Sequence, residues 1–337
     1  MDGLRERRLR RALVGTALLA AAWLLVGVGP ARGQLREVRM SYMPIMGTEP
    51  VYAAQERGFF AENGLRVDLK RMFSGGVQFE ALMARSLDVV GITALTTPFY
   101  LAQEQGIYAK LVHPMNWVGE HRGRRYGPQS FLAVRADSPI QRVGELRGKV
   151  IAIHGYGTVN HVALLEQLKR EGIDPVREAR IIEVSLLRHE AVVKSGEVAA
   201  AAMIEPFATV ARKRGSIRTI APNIEAVLPN MLVAASWVLP EYARRNPDVV
   251  RGLQRALAKA AEWIHAPANQ DERFRILAKW TNLDLGLVRE IGDAIEYYKP
   301  YSDGFTDWGA LQEQIDLMVQ QGQLKRRLEA TQFDPKR

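Results

Sequence analysis

Cysteine is absent from the whole chain of 337 residues. That excludes disulfides, thiolate metal sites and a cysteine nucleophile together, and with them the lipid-bearing cysteine of a bacterial lipoprotein. Other signatures are missing as well. There is no HExxH helix, no Walker loop, no GxGxxG and no Ser-His-Asp order, so no motif pairs residues for catalysis. His154 and His161 stand seven apart with no third ligand at suitable spacing, which argues against a metal pair. No catalytic residue, metal or cofactor is expected.

Charge of one sign is also modest. The formal net charge is +9, but the first 33 residues hold six arginines against Asp2 and Glu6, leaving about +5 for the rest. The basic residues are scattered through helices such as RGLQRALAKAAEW rather than gathered in a stripe with aromatics, so nucleic-acid binding is unsupported. A mild positive field helps an anionic ligand arrive without identifying one.

What is present begins with an export signal. Arg5, Arg7, Arg8, Arg10 and Arg11 precede an uncharged run from Ala12 to Val28, and Ala31 and Gly33 place small side chains where a signal peptidase reads. The run is short for a membrane span and rich in Ala and Gly. Cleavage near Gly33 is expected, releasing an unlipidated, monomeric protein free in a periplasm. The pair Arg10-Arg11 does not decide between general secretion and twin-arginine export.

After residue 34, short apolar runs alternate with amphipathic ones. Strands are expected over 38–43, 66–72, 87–92 and 109–113, with helices over 50–63, 78–85 and 98–105 between them. Residues 120–130 (EHRGRRYGPQS) break the rhythm as a polar, Gly-rich loop. A second series follows, with strands over 149–154, 179–184, 199–204 and 217–220 and helices over 159–171, 188–195 and 207–213. Beyond Pro240 the pattern is helical: 247–264, 271–279, 285–297 and 311–321. Strands alternating with helices imply an α/β layer fold. Two such series imply two lobes: 34–130 with 239–337 as lobe I, and 131–238 as an inserted lobe II. The strands at 131–135 and 232–238 are expected as the crossovers, forming a two-strand hinge above a cleft.

Several stretches carry a resemblance. PVYAAQERGFFAENGLRVDL, VGELRGKVIAIHGYGTVNHVALLEQLKREGIDP, MIEPFATVARKRG and NPDVVRGLQRALAKAAEWI occur in this order between about Met40 and Ile264. Together they are similar to the exported substrate-binding proteins of ABC importers for nitrate, sulfonates, taurine and thiamine-pyrimidine precursors. The resemblance implies a type II periplasmic-binding-protein fold, capture of a small organic or anionic molecule, and delivery to an ABC permease. The pyrimidine-synthesising enzymes related to this family carry a cysteine-rich motif that this chain lacks. A ligand-sensing partner of a membrane receptor is the other alternative.

Ligands of open α/β sheets bind at the carboxyl ends of strands. Five loops qualify here. Thr48 and Glu49 follow the first strand, where they either face the cleft or cap a helix at Pro50. Ser74, Gly75 and Gly76 follow the second, where backbone N–H groups converge on an anion or simply make a turn. Thr93 and Thr96 follow the third, with hydroxyls that donate to an oxyanion or cap. Gly155, Tyr156, Gly157 and Thr158 open the second lobe and form the strongest candidate, Tyr156 stacking on or bonding a ligand. Glu205, before Pro206, either accepts from a ligand N–H, caps, or meets the permease. Asn230 is expected to reach the cleft, and Trp237 is read as hinge core. His121, Arg122, Arg124 and Arg125 are read as a solvated loop. An anionic ligand and a heteroaromatic amine fit these residues equally well.

Overall fold

The alternating pattern resolves into two sheets built to one plan. The computed structural model describes residues 34–121, 124–227, 230–290 and 306–337. In the first sheet, β1 (Arg36–Tyr42) lies between β2 (Leu65–Arg71) and β3 (Val89–Ala94), all parallel. In the second, β7 (Val150–Ile153) lies between β8 (Arg180–Glu183) and β9 (Ala200–Ile204), again parallel. Each parallel triplet is flanked by an antiparallel strand drawn from elsewhere in the chain. β6 (Ser130–Arg135) pairs with β9, and β10 (Ile217–Pro222) then pairs with β6. β11 (Met231–Val238) pairs with β3 on one side and with β4 (Lys110–His121) on the other.

That placement corrects the hinge expected from the sequence. Residues 232–238 are not a crossover attached to the second lobe. They run inside the first sheet, and every residue of β11 is buried. The reason is physical: a continuous apolar run wants cover on both faces, which only an interior strand supplies. Residues 131–135 likewise sit inside the second sheet as β6, buried up to Arg135. The chain crosses between the sheets just before β6 and again after β10.

The polar stretch over 120–130 is not all loop either. β4 continues to His121, and β5 (Arg124–Tyr126) returns along it, pairing Gly119 with Tyr126 and Glu120 with Arg125. The single helix expected over 50–63 is two, α1 (Glu49–Glu56) and α2 (Phe59–Glu62). Gly58 separates them at φ +73°, a left-handed conformation that glycine adopts without a Cβ clash. Of the helix expected over 285–297, Leu285–Glu290 is helical; the remainder lies outside the described residues.

The closing helices return to the first sheet. The helix Pro247–His265 buries Val249, Leu253, Ala256, Leu257, Ala260 and Ile264, one stripe at helical spacing. It packs on α1, α2, β4 and β2, and each fully buried Leu or Ile contributes about 1.5–3 kcal/mol. Trp308–Gln320 joins the opposite face of the sheet, where Leu311, Ile315 and Met318 meet Phe99, Trp117 and Trp237. Trp237 is core, as the sequence suggests.

Candidate functional site

The loops after β1, β3, β7 and β9 converge on one cleft between the sheets, enclosing about 690 Å³ of empty space out to its mouth. This is where the parallel strands present their carboxyl ends. The first sheet contributes Met43, Ile45 and Met46 from the β1 loop, Ile92 and Thr93 from β3, and Val233 from β11. The second contributes Ser130, His154, Val159, Asn160, Ile204 and Glu205. The walls are therefore mostly aliphatic, with a few polar groups set into them.

Those polar groups are held differently. Glu205 is buried and bound by its own helix. The Thr209 N–H donates to Oε2 at 3.0 Å, the Thr209 hydroxyl to Oε1 at 2.8 Å, and Arg212 Nη2 to Oε1 at 3.2 Å. Burial raises its carboxyl pKa, while Thr209 and Arg212 pull it down. His154 is the residue after β7. Burial, with His189 beside it, drives its pKa down to about 4, so the ring is neutral at ordinary pH. His154 Nδ1 and Ser130 Oγ are buried without a protein hydrogen-bond partner. Each such atom costs about 1–3 kcal/mol until something bonds to it. Among the described residues, no group of three or more His, Asp or Glu side chains is placed to hold a metal ion.

Glu225 tethers the two crossings to each other. Its Oε1 accepts the Gln129 N–H at 2.9 Å, and Gln129 itself lines the cleft. Burial pushes the Glu225 carboxyl up to about 7. Asn223, on the same crossing, donates its N–H to the Ser130 carbonyl at 2.9 Å and its amide to the Asn160 carbonyl at 3.0 Å.

Of the residues named from the sequence, Thr93 and Glu205 line this cleft. The others are placed elsewhere. Thr48 is buried and its hydroxyl donates to the Met43 carbonyl at 2.7 Å. Glu49 is buried in a two-bond pair with Arg273, at 2.8 Å on each side. Ser74 and Gly76 stay outside the cleft. Gly75 lies behind it, pressed on Thr93: a Cβ there would sit 2.2 Å from Thr93 Oγ1. Thr96 is buried at a helix start, away from the lining.

The loop 155–158 was the strongest expectation, and it turns outward. Tyr156 is 57% exposed and its hydroxyl donates to the Ile181 carbonyl at 2.8 Å, at the sheet's outer edge. Thr158 caps the helix Val159–Arg170, accepting from the His161 N–H at 3.3 Å. Gly155 and Gly157 shape that cap and are not lining residues. Asn230 is exposed and accepts the Glu120 N–H at 2.8 Å, bracing β4. Arg124 and Arg125 belong to β5, and Arg122 lies outside the described residues.

Cleft-lining residues that the sequence reading did not name as ligand contacts include His154, Asn160, Met43 and Met46. Asn116 was missed because the strand around it was read as ending at His113. A lone amide inside LVHPMNWV was the available signal.

Known proteins share this fold. A model of the NMT1-like family matches residues 31–278. This chain belongs to the NMT1-like family. Among curated relatives of this NMT1-like chain is the riboflavin-binding protein RibY of Chloroflexus aurantiacus. It is 27% identical over 281 residues, which are 80% of this chain and 75% of RibY. Among solved structures, the alkanesulfonate-binding protein SsuA of Xanthomonas axonopodis pv. citri, bound to MOPS, superposes with a TM-score of 0.71. It is 20% identical, and the match covers 89% of this chain and 98% of SsuA. The desulfurization enzyme DSZB superposes at 0.64 with 16% identity over 89% and 96%. These structural likenesses show the fold: two α/β lobes of the type II periplasmic-binding-protein kind. An enzyme on the same fold is a reminder that activity resides in the site.

Proposed function

We propose that this NMT1-like chain is an exported solute-binding protein, which captures one small molecule between its lobes and hands it to an ABC permease. The observation that carries this reading is the cleft itself. Strand ends from both sheets meet around it, and the chain crosses between the sheets beside it. Hinge motion about such crossings closes two lobes on a ligand and expels water. The names of RibY and SsuA, both binding proteins, support the same reading.

The remaining details follow from it. The N-terminal segment acts as a cleaved signal ending near Gly33, the mature protein works as a monomer in the periplasm, and it performs no catalysis. The test is to express the full chain, purify the exported protein, denature it and identify what it releases by mass spectrometry. We expect one small molecule in stoichiometric amount, whose mass stays unchanged after prolonged incubation with fresh protein. Conversion of that molecule to a product would overturn the reading in favour of an enzyme.

A further inference from the structure

The cleft is short of positive charge. Among its described lining residues there is no Lys or Arg, and Glu205 and His154 are its ionisable groups. Glu205 carries an acidic group, and burial keeps the His154 ring neutral. The guanidinium bonded to Glu205, that of Arg212, is not among the lining residues, and its Nη2 is engaged. It donates to Glu205 Oε1 and to Thr209 Oγ1 and lies over the Phe131 ring at 5.0 Å.

An anion can also be held without a cation, by the free N–H groups of a helix start. The helix beginning at Val159 has engaged part of its start in capping. The Gly157 N–H donates to His161 Nδ1 at 3.0 Å, the His161 N–H to Thr158 Oγ1 at 3.3 Å, and the Val162 N–H to the Thr158 carbonyl at 2.9 Å. The first helix after β1 opens with Glu49, an acidic residue. What the cleft does offer is aliphatic wall, the amides of Asn116, Gln129 and Asn160, the Ser130 hydroxyl and the Glu205 carboxyl.

We infer that the cleft selects an uncharged solute with a largely apolar body, carrying an N–H donor for Glu205 and an acceptor for the amide and hydroxyl groups, and rejects anions of the same shape. The inference rests on the solute-capture reading and sharpens it. Burial of an apolar body matches the aliphatic walls, and an uncharged ligand leaves no unpaired charge inside. Among the described lining residues, a sulfonate, nitrate or carboxylate would meet no Lys or Arg and would lie beside the Glu205 carboxyl.

The test uses pairs of probes of matched shape, one an uncharged amide with N–H donors and the other its anionic counterpart: nicotinamide with nicotinate, benzamide with benzoate, and methanesulfonamide with methanesulfonate. Each is titrated calorimetrically into the protein exported from the full chain and freed of ligand by denaturation and refolding. We expect the neutral member to bind at least tenfold more tightly in every pair that binds. In Glu205→Gln, the preference should shrink at least threefold. An anionic member that binds more tightly overturns the inference while leaving solute capture intact. If no neutral member binds, the inference falls whether or not an anion does.

Discussion

Replacing Glu49 by Ala should destabilise the fold by about 3–5 kcal/mol, because it removes the buried carboxylate that accepts two hydrogen bonds from the Arg273 guanidinium. Glu49 and Arg273 have side chains 2% and 1% exposed and share two parallel hydrogen bonds. The pair ties α1 to the helix Gln270–Thr281, and so anchors a closing helix to the loop that carries Met43 and Met46. Removing both charges is a different matter. Glu49→Leu combined with Arg273→Met removes both members of this pair, and buried pairs replaced by apolar groups of similar volume are often neutral or better. Urea unfolding of the wild type, both single variants and the double variant would measure the coupling. The expected pattern is two severe singles and a double variant much nearer the wild type. Were Glu49 a ligand group, as its position after the first strand suggests, Glu49→Ala would abolish binding and leave the unfolding midpoint in place.

The second large effect is a pair of opposed pH dependences. Burial lifts the Glu225 carboxyl from 4.5 to about 7. Its contribution to stability is therefore fully present below pH 4.5 and is lost as pH rises through about 7. Burial and His189 lower His154 from 6.5 to about 4. Its contribution is present above pH 6.5 and is lost as pH falls through about 4. Each gap corresponds to about 3 kcal/mol, and over pH 4.5–6.5 the two act against each other. Single variants separate them. Relative to wild type, Glu225→Gln, which keeps an acceptor for the Gln129 N–H, should gain about 3 kcal/mol between pH 4.5 and values above 7. Relative to wild type, His154→Gln should lose a similar amount between pH 4 and values above 6.5. Urea midpoints taken at unit steps from pH 4 to 8, with constant m, provide the comparison. Profiles parallel to the wild type in both variants would show that neither group titrates as its burial dictates.

The sequence made the strands legible because burial on both faces writes itself as unbroken apolar runs, as in β3 and β11. It made the loops legible because parallel strands must end somewhere, and their carboxyl ends face one side. It did not make side-chain direction legible. Thr48, Glu49 and Thr158 read equally well as caps or as ligand groups. The outcome depended on partners far along the chain, such as Arg273, 224 residues from Glu49. Tyr156 and His154 stand two residues apart, yet one meets solvent and the other the cleft, a difference set by where β7 ends. The sheet to which 231–238 belongs was equally hidden, since an apolar strand does not state its neighbours.

The most direct test of solute capture between the sheets is calorimetric titration of the best-binding neutral amide into wild type and three variants. Thr93→Val and His154→Gln alter the cleft wall, and Tyr156→Ala alters the outward-facing loop. Binding within the cleft predicts a loss of roughly tenfold or more, about 1.4 kcal/mol, for each of the first two. It predicts an unchanged affinity for Tyr156→Ala. Loss of binding in Tyr156→Ala, with Thr93→Val and His154→Gln unaffected, would place the ligand on the outer loop and contradict the account.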